Sequence, residues 1–294
     1  LHLACSGLAP HATEAEWVAL AGDNQKLKGG MERLHRLFQK AAVLGSLINP
    51  SASEDTLLEA AFQDLQPLLE RALARESGNA ATHEMAVTAR GIAKAAEILG
   101  NKFILVATNV PYIGRGKQDA ILQDYCEYTY PDAKVDLANC FIERSLEFCA
   151  SAGSAALVTP QNWLFLSSSI KLRQRLLVSA EINCVVKLGE HAFDSPQAAG
   201  AFVSEAVITN SAATKDSRFL GIDASEQESP DAKSRAIQTV ASTVLSQAAQ
   251  KLNPDEIIAV SEMSGAVLLE KYASLCEGLS RGDTERFDRF FWEL

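Results

Sequence analysis

The chain has 294 residues, 47% hydrophobic and 22% charged, and a formal net charge of −10. That suffices for one large α/β domain, or one domain with extensions, and no apolar run reaches the roughly 18 residues of a membrane-spanning helix. The acidic balance argues against a nucleic-acid-binding surface over the whole chain, so any such contact is local or supplied from elsewhere in the protein.

The six cysteines (Cys5, Cys126, Cys140, Cys149, Cys184, Cys276) form no Cys-x-x-Cys pair. They read as buried reduced thiols, and a reducing, cytoplasmic compartment is expected. The five histidines share no ligand spacing, so no metal site is expected.

In chain order, Leu1-His2-Leu3-Ala4-Cys5 reads as the tail of a helix already under way, with no signal peptide before it. With the apolar ending Phe290-Phe291-Trp292-Glu293-Leu294, this leads to the expectation of a fragment cut from a longer protein. Residues 1–45 pattern as helical, and Thr13 with Glu16 has the spacing of a capping box. Residues 42–48 are a short apolar run before Asn49-Pro50, either a strand or a helix end. Segments 54–75 and 81–99 carry apolar positions three and four apart and predict amphipathic helices.

Residues 103–108 predict a buried, central strand broken by Asn109-Val110-Pro111-Tyr112. A helix over 136–149, closed by Ala152-Gly153, leads to a strand over 155–159 that Pro160 stops. A helix over 168–178 and strands over 182–188 and 205–209 follow. Strands alternating with helices predict parallel order with right-handed crossovers for the first three. The last two are expected to pair antiparallel across the loop 190–203. Residues 212–234 read as a polar loop or linker and 235–276 as helical.

The strand end at 109–112 carries the chemistry. Ligands of open α/β sheets sit beyond the carboxyl ends of the strands. Pro111 cannot extend a ladder, and it holds Val110 extended, which leaves the Val110 carbonyl able to accept a hydrogen bond. Asn109 adds a side-chain oxygen. Two acceptors can grip both hydrogens of a planar NH2 group, with the Tyr112 ring against the face that bears it. An ordinary turn after a strand is the competing reading. Gly114-Arg115-Gly116-Lys117 lacks the spacing of a phosphate loop. Arg115 and Lys117 suit contact with a nucleic-acid backbone, or form a solvated basic loop. Lys171, Arg173 and Arg175 line one helix and read first as a solvated face, second as a backbone contact.

These residues resemble the N6-adenine DNA methyltransferases of the amino-methylating group, whose motif is Asn/Asp-Pro-Pro-Tyr/Phe. Within them the likeness is to the large adenine-specific enzymes of phage-exclusion (BREX, PglX-type) systems and of Eco57I-like restriction–modification. Three further stretches carry it: 134–138, Ala156-Leu157-Val158-Thr159-Pro160-Gln161-Asn162-Trp163-Leu164, and 282–293, which is similar to the border of a target-recognition region. Val110 stands where the family has its first Pro, a position that works through its carbonyl. No Asp-Pro-x-x-Gly-x-Gly turn occurs, so the segment holding most of the methyl donor is expected upstream, and cofactor-binding residues here stay unassigned.

The resemblance implies a partial Rossmann-like methyltransferase sheet, mostly parallel with an antiparallel strand near its end, plus helical insertions. The expected organisation is a helical segment and insertion at 1–101, the catalytic half at 102–211, and a linker with helices leading to a target-recognition domain at 212–294. The implied activity is S-adenosylmethionine-dependent methylation of the N6 amine of adenine flipped out of double-stranded DNA. It would act beside other proteins of a defence system and with no membrane. Asn109, Val110, Pro111 and Tyr112 would be catalytic, and Arg115, Lys117, Asp136 and Trp163 would bind substrate. Asp136 also reads as a helix-start acid, and Trp163 as a core residue. An RNA or protein methyltransferase, or a non-catalytic DNA-binding scaffold of a defence complex, are the alternatives.

Overall fold

Capping chemistry sets the first helix. In the computed structural model the Thr13 backbone N–H donates to Glu16 Oε2 at 2.9 Å, while Thr13 Oγ1 accepts the Glu16 N–H at 3.4 Å. The capping box read from the spacing is therefore present. The structure describes residues 2–51, 80–195, 200–239 and 241–262. The expected helix over 54–75 and the resemblance at 282–293 lie outside them. Residues Leu1–Ser261 make one compact unit.

The described elements are α1 (Glu14–Ala19), α2 (Gln25–Phe38), α3 (Ala41–Leu44), α4 (Ala80–Gly100), β1 (Phe103–Asn109), α5 (Ala120–Thr129), α6 (Leu137–Phe148), β2 (Cys149–Pro160), α7 (Ile170–Ser179), β3 (Glu181–Gly189), β4 (Val203–Thr209), β5 (Arg218–Asp223), α8 (Pro230–Thr239), β6 (Thr243–Ser246) and α9 (Gln247–Gln250). No described helix is long and apolar enough to cross a membrane.

Several expectations change. His2–Cys5 is not helical. Of the two readings open for 42–48, the helix end is the one present, with a 3-10 turn at Gly45–Leu47 after α3. The helix before β2 ends at Phe148, and Ala152-Gly153 is a kink inside the strand, with Ala152 at φ 58°. A Cβ on Gly153 would lie 2.6 Å from the Phe103 carbonyl, so only glycine lets β1 approach there. Residues 212–234 are no linker, because β5 and the start of α8 fall within them, and β6 interrupts the helical pattern expected after 235. Helix α5 has no counterpart among the expected elements; Asp119 opens it, accepting the Leu122 N–H at 2.9 Å.

The strands form one six-stranded sheet in the order β1-β2-β4-β3-β5-β6. β1 with β2 and β3 with β5 are parallel; β4 is antiparallel to both β2 and β3, and β6 to β5. Four strands thus run one way. The antiparallel pairing expected of the last two predicted strands is present as β3 with β4, and β4 also pairs with β2 on its other side. β4 occupies the slot between β2 and β3, so the third strand lies one place away from the second. One face packs Ala155, Leu157, Val185, Ala206 and Ile208 into the main core under α6 and α7. The other carries a smaller cluster of Val186, Leu188, Val203 and Ile222 against Ala236 of α8.

β1 is neither buried nor central among the described residues. It pairs only with β2, and Ile104 and Leu105 are 84% and 64% exposed. Its composition, apolar on both faces, is that of a strand covered on both sides.

Arg144 of α6 joins the helical part to the sheet. Its buried guanidinium donates to the carbonyls of Ser46, Ile48 and Leu99 at 3.1, 2.7 and 3.0 Å, pairs with Glu147 at 3.1 Å, and lies 3.8 Å over the Phe148 ring. Arg144→Met leaves those three carbonyls without this donor, whereas Glu147 keeps the Asn49 amide and the Tyr130 hydroxyl. In urea unfolding the three unsatisfied carbonyls are expected to cost roughly 3–5 kcal/mol together, with Arg144→Lys recovering only part because an ammonium lacks the fork. A loss near about 0.5 kcal/mol, as at an ordinary surface position, would contradict this.

Candidate active site

Asn109 is the last residue of β1, and its side chain is exposed at the carboxyl end of the strand. Val110 is buried, and its N–H donates to the Val158 carbonyl at 3.3 Å, so β1 keeps one bond to β2 beyond Asn109. Its own carbonyl accepts nothing from the described residues. In a parallel ladder that bond would come from residue 160, two past Val158. Residue 160 is proline and has no N–H. Pro111 is exposed and ends the strand.

Tyr112 is half-buried and packs on both clusters. Its hydroxyl oxygen is buried with no hydrogen-bond partner among the described residues. Burial, then the nearby Glu205 carboxylate, push its phenol up to about 12. The ring therefore stays neutral at physiological pH.

The register adds Glu205. Asn109 lies opposite Val158, and Val158 opposite Glu205, which in turn faces Val186. Asn109 and Glu205 thus share one face of the sheet, at the same end. The half-buried Glu205 makes no hydrogen bond or ion pair with the described residues, and desolvation raises its carboxyl above the usual range. Sequence reading missed it. The signal was there: in Val203-Ser204-Glu205-Ala206-Val207, the acid falls in register with Val203 and Val207 on an apolar face.

The loop after Tyr112 is fixed to the start of α6. Gly114 bridges Asp136, the Arg115 N–H donates to Val135 at 3.1 Å, and the Leu137 N–H to Ile113 at 3.0 Å. Asp136 is the N-cap of α6, its Oδ1 accepting the Ala138 N–H at 2.8 Å; burial raises its carboxyl against the backbone bonds that lower it. The helix-start reading of Asp136 is thus present. Arg115 is tied to Glu127 at 2.6 Å, which Lys134 also pairs at 2.5 Å. Lys117 is exposed.

Trp163 is a correction. It is 1% exposed, and its Nε1 donates to Thr159 Oγ1 at 3.0 Å. It is a core residue behind β2 with no face to offer a base, because the 3-10 turn Gln161–Leu164 folds it inward. Arg173 is a second correction: its fully buried guanidinium donates to the carbonyls of Trp163, Leu166, Asp255 and Glu256. Arg175 pairs with Glu143, so of the three only Lys171 reads as plain solvated surface. No cluster of potential metal ligands occurs among the described residues.

Residues 32–193 match the Eco57I restriction-modification methylase family, a span that contains the whole strand end. The chain belongs to that family. It is 30% identical over 157 residues to the adenine-specific methyltransferase BrxX of Escherichia coli O9:H4 (strain HS), covering 53% of this chain and 12% of that protein. It is 33% identical over 105 residues to the adenine-specific methyltransferase PglX of Lacticaseibacillus casei (strain Zhang), covering 36% and 9%. The chain thus spans only a small part of the length of these relatives. A solved type I restriction-modification methyltransferase subunit from Streptococcus thermophilus is similar at 13% identity and a TM-score of 0.39, over 59% of this chain and 45% of that one.

In this methylase-family chain the Glu205 charge costs stability. Its folded pKa is raised, so its favourable contribution is complete below the unfolded carboxylate range and is lost as pH rises through the folded value. Glu205→Gln is therefore expected to melt higher than the parent at about pH 7, with the gain disappearing near about pH 4. A lower melting temperature at neutral pH would contradict this.

Proposed function

We propose that this chain carries the acceptor side of an S-adenosylmethionine-dependent methyltransferase acting on the N6 amine of adenine in double-stranded DNA, within a phage-defence or restriction–modification system. The observation that supports this most is the free pair of oxygens at the end of β1, inside the region matching the methylase family. The names of the two relatives supply the adenine.

The chemistry follows from the residues. An aromatic amine is a poor nucleophile because its lone pair is delocalised into the ring. Hydrogen bonds from its two N–H groups to Asn109 Oδ1 and the Val110 carbonyl favour a tetrahedral nitrogen and release the lone pair. The same oxygens face the positive charge that grows on nitrogen as the methyl arrives, and as fixed dipoles they need no reorganisation. Tyr112, neutral and held by packing, presents its ring to the base and fixes the approach. The adenine must leave the duplex to reach this edge. The methyl donor supplies an electrophilic carbon on a sulfonium. Among the described residues no glycine-rich strand-to-helix turn is available to hold it, so no residue is assigned to it. Lys117 is free for phosphate contact, whereas Arg115 must first give up Glu127.

Asn109→Ala in the full-length protein tests the reading. N6-methyladenine in host DNA, quantified by mass spectrometry, is expected to fall by roughly a hundred-fold or more, with the melting temperature unchanged because the side chain is exposed. Undiminished methylation would overturn the reading in favour of a scaffold.

A further inference from the structure

The Val110 carbonyl accepts nothing from the described residues, for a reason that lies on the neighbouring strand. β1 and β2 are parallel and in register from Leu105 opposite Ser154 to Asn109 opposite Val158. The ladder then continues one bond further, through the Val110 N–H to the Val158 carbonyl. In a parallel pair each residue sends its N–H to one partner residue and takes the N–H of the residue two further on. For Val110 that second residue is Pro160. By continuation of the register its nitrogen falls at the donor position, and it carries no hydrogen.

Two prolines therefore bracket the acceptor. Pro111 prevents the chain from running on as strand or helix. Pro160 withholds the ladder bond that would otherwise occupy the Val110 oxygen. The other side of β2 is not weakened: Pro160 stays in register with Val203 of β4, and the next N–H, from Gln161, donates to the Phe202 carbonyl at 2.9 Å. Nor does local geometry require proline. Residue 160 has φ −56° and ψ 138°, which any L-residue adopts without strain.

We propose that Pro160 is a positioning residue of this active site, present to keep the Val110 carbonyl unpaired and so available to the amine of the substrate. It touches no substrate and acts only through that oxygen. The proposal rests on the reading of Asn109 and Val110 as the acceptor pair.

Pro160→Ala in the full-length protein restores an N–H at the donor position. Its structural effect is read without any activity measurement. The new amide at position 160 is expected to exchange slowly with deuterium, as a ladder-bonded amide does, and the melting temperature to stay equal or rise. Methylation of unmodified DNA is expected to lose roughly ten-fold or more in kcat with little change in KM, since the acceptor matters most as charge develops. A proline with only a structural role would instead give a lower melting temperature and unaltered kcat. A second variant isolates the hydrogen. The ester analogue of Pro160→Ala, with lactic acid at position 160, has the alanine side chain and no N–H, and should return kcat to near the parent value.

Fast exchange of the amide introduced by Pro160→Ala, or equal kcat for the amide and ester variants, would overturn the proposal. If Asn109→Ala has left methylation intact, the acceptor-pair reading fails by itself; slow exchange of that introduced amide would still show that Pro160 frees the carbonyl.

Discussion

A backbone carbonyl that nothing in the sheet is able to satisfy is the constraint on which the rest of this site depends. Buried main-chain oxygens are almost always paired, and parallel strands pair them in series. At the end of β1 the series stops one bond early. Val110 is buried and still donates to β2, so its position is fixed. Its oxygen is left over. Beside it Asn109 projects a second oxygen from the last residue of the strand. The site is thus made less by adding groups than by withholding a donor.

The framework around it makes that omission tolerable. β2 is held on its far side by β4, whose register runs unbroken from Ser154 opposite Thr209 to Pro160 opposite Val203. Arg144 and the cap at Asp136 fix α6 and the loop that follows Tyr112. Among the described residues, polar groups without partners gather at the same end of the sheet: the Tyr112 hydroxyl is buried and unbonded, and Glu205 sits desolvated two strands from Asn109. Groups left unpaired where a fold could have avoided them cost stability, and that cost is typical of places where function sets the sequence.

Much of this was legible in the sequence because it is local chemistry. Thr13 with Glu16, the apolar run that breaks at Asn109, and the helix begun by Asp136 are each specified by neighbours a few residues away. What escaped was set at a distance. No local pattern says that β4 enters between β2 and β3, or that Glu205 therefore shares a face with Asn109. Trp163 and Arg173 have the composition of a stacking residue and a phosphate contact, yet both are core groups, because the turn after Pro160 folds one inward and the carbonyls near Asp255 enclose the other. Pro160 itself was legible as a stop signal. Its consequence for Val110 became visible only once the register was known.

The most direct measurement of the central claim is a structure of the full-length protein holding duplex DNA and a non-reactive analogue of the methyl donor. The account predicts an extruded adenine whose amine lies within hydrogen-bond distance of Asn109 Oδ1 and the Val110 carbonyl, with its ring against Tyr112. A base seated elsewhere, or a Val110 carbonyl already bonded to another backbone N–H, would contradict it.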